Sequence, residues 1–132
     1  MRSKFQIFEK KDRGHFKVII FGGSRVKKRD GVYKSVQNLA EMLGERGIDV
    51  VTGGGHGLMQ AANEGHRRGS KKGHHRTHSI GIGVKMLWNQ KFNKSVQYKE
   101  EFNKFSSRLD EFMLLSNAII VAPGGLGTSL EL

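Results

Sequence analysis

The chain has no cysteine, one proline and no long apolar run. Without cysteine, disulfides and thiolate metal sites are excluded, and nothing points to secretion. The opening Met1–Gly14 is charged and has no apolar core of the kind a signal peptide carries, and no window approaches a membrane span. A cytoplasmic protein is expected. Acidic residues are also scarce, 12 against 23 lysines and arginines, which leaves a net charge of +11. Such a charge favours polyanions, phosphorylated small molecules or an acidic partner without choosing among them. It gathers at Lys27-Lys28-Arg29 and between Arg67 and Arg76, and neither cluster is interleaved with the aromatics of a single-strand binding face. Nucleic acid is therefore not the expected partner.

What the chain has instead is glycine at particular places. Its 132 residues suffice for one domain with a core. Residues 1–16 read as an arm or an edge strand, and 17–132 as the domain. Lys17–Phe21 is a buried-type strand ending in Gly22-Gly23-Ser24-Arg25. A helical spacing follows over Asp30–Arg46, closed by Gly47. Ile48–Val51 is a second strand, and Thr52-Gly53-Gly54-Gly55-His56-Gly57 a second glycine turn. Leu58–Arg68 is expected to be a helix, and Gly69–His78 a polar, basic loop. Ser79–Val84 is a third strand, Met86–Gln97 is irregular, and Tyr98–Leu115 carries core residues at helical spacing. Ala118–Ala122 is a fourth strand, of a type buried on both faces. Strand, glycine turn and helix in alternation predict an α/β fold, a Rossmann-like open parallel sheet with helices on both faces. Ligands of such sheets sit outside the carboxyl ends of the strands, where all three glycine turns fall.

The third turn, Pro123-Gly124-Gly125-Leu126-Gly127-Thr128-Ser129-Leu130-Glu131, is the most informative. Thr128 suits an N-cap, and the positive end of a helix beginning there would face an anion over the glycines. Glu131 reads equally as the partner of Thr128 in a capping box or as a carboxylate beside that anion. Leu132 falls within the first turn of this helix, so the chain is expected to be incomplete at that end. Gly22-Gly23-Ser24 does not fit a dinucleotide fingerprint, and no Gly-Lys-Ser/Thr follows a glycine turn. His56, His66, His74, His75 and His78 have no carboxylate companions at metal-site spacing and read as surface residues; no metal is expected. Arg108 stands among Phe105, Leu109 and Phe112, where an exposed helix cation is the plainest reading.

The nine residues Pro123–Glu131 match the P-G-G-x-G-T-x-x-E signature of the Lonely Guy family, whose members were long described as possible lysine decarboxylases. Thr52–Met59 resembles the family's second motif, a glycine triplet followed by Gly-Leu-Met. Arg108 precedes Glu131 by the interval between the family's catalytic arginine and glutamate, and Gln90 and Asn93 resemble a patch of its longer bacterial members. The likeness runs from about Lys17 to Leu132. It implies a phosphoribohydrolase that splits the N-glycosidic bond of a nucleoside 5′-monophosphate, AMP or a cytokinin riboside monophosphate, without a cofactor and as a homodimer. By the same resemblance, Gly124, Gly125, Leu126, Gly127 and Thr128 would hold the 5′-phosphate with Gly23, Ser24, Gly54 and Gly55. Gln90 and Asn93 would contact substrate, Glu131 would activate water or stabilise the oxocarbenium-like sugar, and Arg108 would orient Glu131. A non-catalytic nucleotide-binding module on the same fold is the rival reading. The chain departs from the family pattern at Leu109, usually lysine, and at Asn89, usually glutamate. Both changes remove charge near the sugar or base.

Overall fold

A computed structural model describes residues 15–74, 76–84, 91–102 and 116–122. Among the described residues five strands form one parallel sheet, and two helices connect its first three strands: β1 (Lys17–Phe21), α1 (Gly31–Glu45), β2 (Asp49–Thr52), α2 (Leu58–Gly73), β3 (Ser79–Val84), β4 (Tyr98–Phe102) and β5 (Ala118–Val121). Their order is β4-β3-β2-β1-β5. The register sets Lys17 beside Asp49, Val50 beside Ser79 and Val18 beside Ala118. This is the α/β Rossmann-like architecture expected from the alternation of strands and glycine turns. Among the described residues, no helix is long and apolar enough to cross a membrane.

The central strands read as continuous β-branched runs because both of their faces are buried. Val18, Ile20 and Val50 pack with Tyr33, Val36 and Ala40 of α1 and Leu58, Ala61 and Ala62 of α2. Ile19, Phe21, Val51, Ile80 and Ile82 form a second buried cluster. Both described helices thus cover one face of the sheet; beyond Phe102, the Tyr98–Leu115 stretch read at helical spacing lies outside the described residues. The helices touch at backbone level. Cβ atoms on Gly65 and Gly69 would collide with the carbonyls of Gln37 and Glu41, and one on Gly44 with that of His66. Glu64 ties the same pair, accepting from Tyr33 Oη at 2.9 Å and Gln37 Nε2 at 3.3 Å. Burial first, then the bond and charge of Glu64, push the Tyr33 phenol far above its ordinary range, so it stays a donor.

Four expectations need correction. Helix α2 runs on through Gly73, so the first half of the supposed basic loop is helical. It ends at His74, whose φ of 56° is left-handed. Lys71 and Lys72 suit the negative end of its dipole, and Lys72 and Arg68 pair with Glu41 of α1. His66 is not a surface residue: it is fully buried, with Nε2 2.8 Å from the Ile48 carbonyl. Tyr98–Phe102, read as the start of a helix, is a strand pairing with β3 from Ile80↔Tyr98 to Val84↔Phe102. Its Lys99 and Glu101 are exposed, which suits a strand with one neighbour among the described residues. Finally, β5 pairs with β1 at one end of the sheet and is not buried on both faces. Ile119 and Val121 are 42% and 48% exposed, while Ala118 and Ile120 face the core.

Candidate nucleotide site at the carboxyl end of the sheet

The turns after β1 and β2 are physically joined. The amide of Leu58, first residue of α2, donates to Gly23 O at 3.0 Å. Gly57, with φ of 69°, lies so close to Gly23 and Ser24 that a Cβ would collide with their backbone. A left-handed conformation and a close approach at one position together demand glycine. Gly57 also caps α2, and no side chain caps that end or places a carboxylate in its first turn. No side chain of α2 therefore offsets the positive end of its dipole, although Leu58 N–H is taken by Gly23 O and Ala61 N–H by Gly57 O. Ser24 is exposed beside them, and the exposed His56 sets Nδ1 3.3 Å from Gln60 Oε1 in the same turn of α2. Ala122, the last described residue before Pro123, donates its N–H to Phe21 O at 2.8 Å, next to the β1 turn.

The β2 turn is held from below by a buried polar network absent from the sequence reading. Gly54 N donates to Thr52 Oγ1 at 2.9 Å, and Thr52 Oγ1 donates to Asn63 Oδ1 at 2.7 Å. Asn63 Nδ2 donates to Ser79 Oγ at 2.8 Å. Asn93 completes the network, its Nδ2 2.8 Å from Gly55 O, 3.3 Å from Gly54 O and 3.1 Å from Asn63 Oδ1. Its own amide N–H donates to Gly54 O at 2.8 Å, and its Oδ1 accepts from Ser95 N at 3.0 Å. Thr52, Asn63 and Ser79 are wholly buried and Asn93 is 3% exposed. In such surroundings each unmade bond would cost about 1–3 kcal/mol, so the network fixes the turn before any ligand arrives. The Phe92 ring lies against Gly54, Gly81 and Gly83 and closes the underside.

The fold therefore brings Gly23, Ser24, Gly54, Gly55 and Asn93 to one end of the sheet. Asn93 faces inward there and sets the shape of the Gly54–Gly55 turn. Gln90, Arg108, Gly124, Gly125, Leu126, Gly127, Thr128 and Glu131 lie outside the described residues. A local signal existed for Asn63, a polar residue beside Ala61 and Ala62 in the expected helix, whereas Thr52 reads as the start of a turn and gives no sign of its burial.

Residues 59–132 match the family model described as "possible lysine decarboxylase". Among curated proteins none matches the chain. Solved structures do. The molybdenum cofactor carrier protein of Chlamydomonas reinhardtii superposes with a TM-score of 0.70 at 18% identity, over 89% of this chain and 68% of that one. The molybdenum cofactor binding protein of the phototrophic bacterium Rippkaea orientalis gives 0.64 at 22% identity, over 91% and 69%. A structural-genomics target, TM1055, gives 0.65 at 18% identity, over 88% of this chain and 65% of its own length. The chain spans about two thirds of the length of these structures, and at such identities the likeness is one of fold.

Proposed function

The chain belongs to the possible lysine decarboxylase family, the Lonely Guy proteins of the sequence resemblance, and from that premise we propose that it is a nucleoside 5′-monophosphate phosphoribohydrolase. The observation that carries the proposal is the Leu58–Gly23 bond, which joins two glycine turns at the start of α2, where no side chain caps the helix and Ala122 lies against Phe21. A 5′-phosphate is the guest that such amides and such a dipole favour. In the proposed site Gly124, Gly125, Leu126, Gly127 and Thr128 hold the phosphate from one side, and Ser24, Gly54, Gly55 and the start of α2 from the other. Gly23 ties the turns together, Asn93 keeps the second in shape, and Gln90 reaches the substrate.

Hydrolysis breaks the bond between C1′ and the base nitrogen and forms one between C1′ and water oxygen. The base leaves with a proton, and ribose 5-phosphate remains. Positive charge develops on the sugar as the base departs, and the Glu131 carboxylate stabilises it or takes the proton of the attacking water. Arg108 holds Glu131 and the substrate in line. Binding energy from the remote phosphate keeps the reacting carbon in place.

Release of adenine and ribose 5-phosphate from AMP, lost in Glu131→Gln, is the expected result. Saturable AMP binding with no base released would instead favour a binding or carrier role. The fold shared with the two molybdenum cofactor proteins supports that second reading.

A further inference from the structure

At the opposite, amino end of the sheet the parallel register gathers a different set of groups. Asp49 opens β2 with its side chain wholly buried, while His15 and His78, just before β1 and β3, have side chains 32% and 22% exposed. His15 Nδ1 lies 3.1 Å from Asp49 Oδ1, and His78 Nδ1 3.8 Å from Asp49 Oδ2. One ligand atom from each of the three falls within 4.8 Å of the others. We propose that His15, Asp49 and His78 form a binding site for a divalent transition-metal ion of the zinc type.

Two imidazoles and one carboxylate are a donor set that zinc accepts, and three protein ligands leave its fourth position to water. Zinc bonds of about 2.0–2.1 Å place tetrahedral ligand atoms roughly 3.3 Å apart; His15 Nδ1 meets one Asp49 oxygen at 3.1 Å and His78 Nδ1 the other at 3.8 Å, so small side-chain shifts close the three on one ion. The groups are also held in place, as a metal site requires. Asp49 Oδ1 accepts the backbone N–H of His78 at 2.8 Å. The backbone bonds Asp49 N to Phe16 O at 2.9 Å and Val50 N to His78 O at 3.2 Å fasten the three segments. The imidazoles stack with centroids 5.6 Å apart, and Tyr98 meets His78 edge-on at 4.9 Å. Lys17 is the competitor, its Nζ 3.8 Å from Asp49 Oδ2 and 3.4 Å from His15 O. Its ammonium marks the place as one that favours cations, and a divalent ion bonded directly to Asp49 displaces it. A central carboxylate excludes the phosphate that the basic groups alone would suggest. Because the imidazoles must bind as neutral ligands, affinity falls as pH is lowered.

The test is calorimetric titration of the full chain with zinc chloride, beside His15→Gln, His78→Gln and His74→Ala. Cobalt(II) absorption then reports the geometry. One equivalent is expected to bind with a tetrahedral cobalt spectrum and to raise the melting temperature. Each glutamine variant should weaken binding by more than the roughly tenfold that loss of an outer-shell partner costs, while His74→Ala binds as the parent does. The glutamines keep hydrogen-bonding capacity, and circular dichroism confirms that they fold. Absence of zinc binding by the parent, or binding undiminished in both glutamine variants, would overturn the proposal.

Discussion

The two ends of this sheet are built on opposite plans. At the carboxyl end, backbone takes the place of side chains: Gly23, Gly54, Gly55 and Gly57 form two turns that meet at a helix start no side chain caps. At the amino end, His15, Lys17 and His78 set basic side chains around the buried carboxylate of Asp49. Parallel strands produce this division, since every strand starts at one edge and every strand-to-helix turn falls at the other. Backbone N–H groups favour an anion and carry no proton that a change of pH removes. A carboxylate among imidazoles favours a cation and responds to pH.

The sharpest way to break this comparison is at Glu131. With the proposed hydrolase chemistry, Glu131→Gln lowers the turnover of AMP by about 10²–10⁴-fold and leaves nucleotide affinity nearly unchanged, as initial rates and equilibrium binding will show. Next comes acid sensitivity at the amino end. Burial first, then the charges of His78 and Arg67, against the opposing Ile48 bond, push His66 down to about 4. The unfolded chain therefore takes up a proton that the native chain refuses. Stability present above pH 6.5 is lost as pH falls toward 4, by about 3 kcal/mol, with the loss smaller in His66→Gln. Urea unfolding at a series of pH values measures it. Gly57→Ala sharpens the contrast from the carboxyl end: strain and the clash with Gly23 and Ser24 should cost about 2 kcal/mol and weaken AMP binding about tenfold. Smallest is Glu41→Gln, which removes pairs to the exposed Arg68 and Lys72 and should shift stability by less than about 1 kcal/mol in urea unfolding.

Much of this arrangement was legible in the chain itself. Apolar runs ending in glycine located β1, β2 and their turns, because a buried parallel strand and a sharp turn each demand distinctive residues. β4 was not legible: Tyr98–Phe102 leads into a helical spacing of aromatics, and only its pairing with β3 reveals it as a strand. The length of α2 was hidden because Gly69 and Gly73 look like punctuation, whereas Gly69 is there to let α1 approach. His66 looked like one of several surface histidines, since nothing local says which face of α2 meets Ile48. The amino-end cluster joins residues 34 and 29 positions apart, which no motif spacing reports. A clue was present nonetheless. His15, Asp49 and His78 each stand at the threshold of an apolar strand, and adjacent parallel strands bring their thresholds together.

The most direct measurement is an amide-resonance titration of the full chain with ribose 5-phosphate. The account predicts saturable shifts at Ser24, Gly55, Met59 and Gln60, with Asp49, Thr77 and Ser79 unmoved. Shifts centred on Asp49 and His78, with the glycine turns silent, would contradict it.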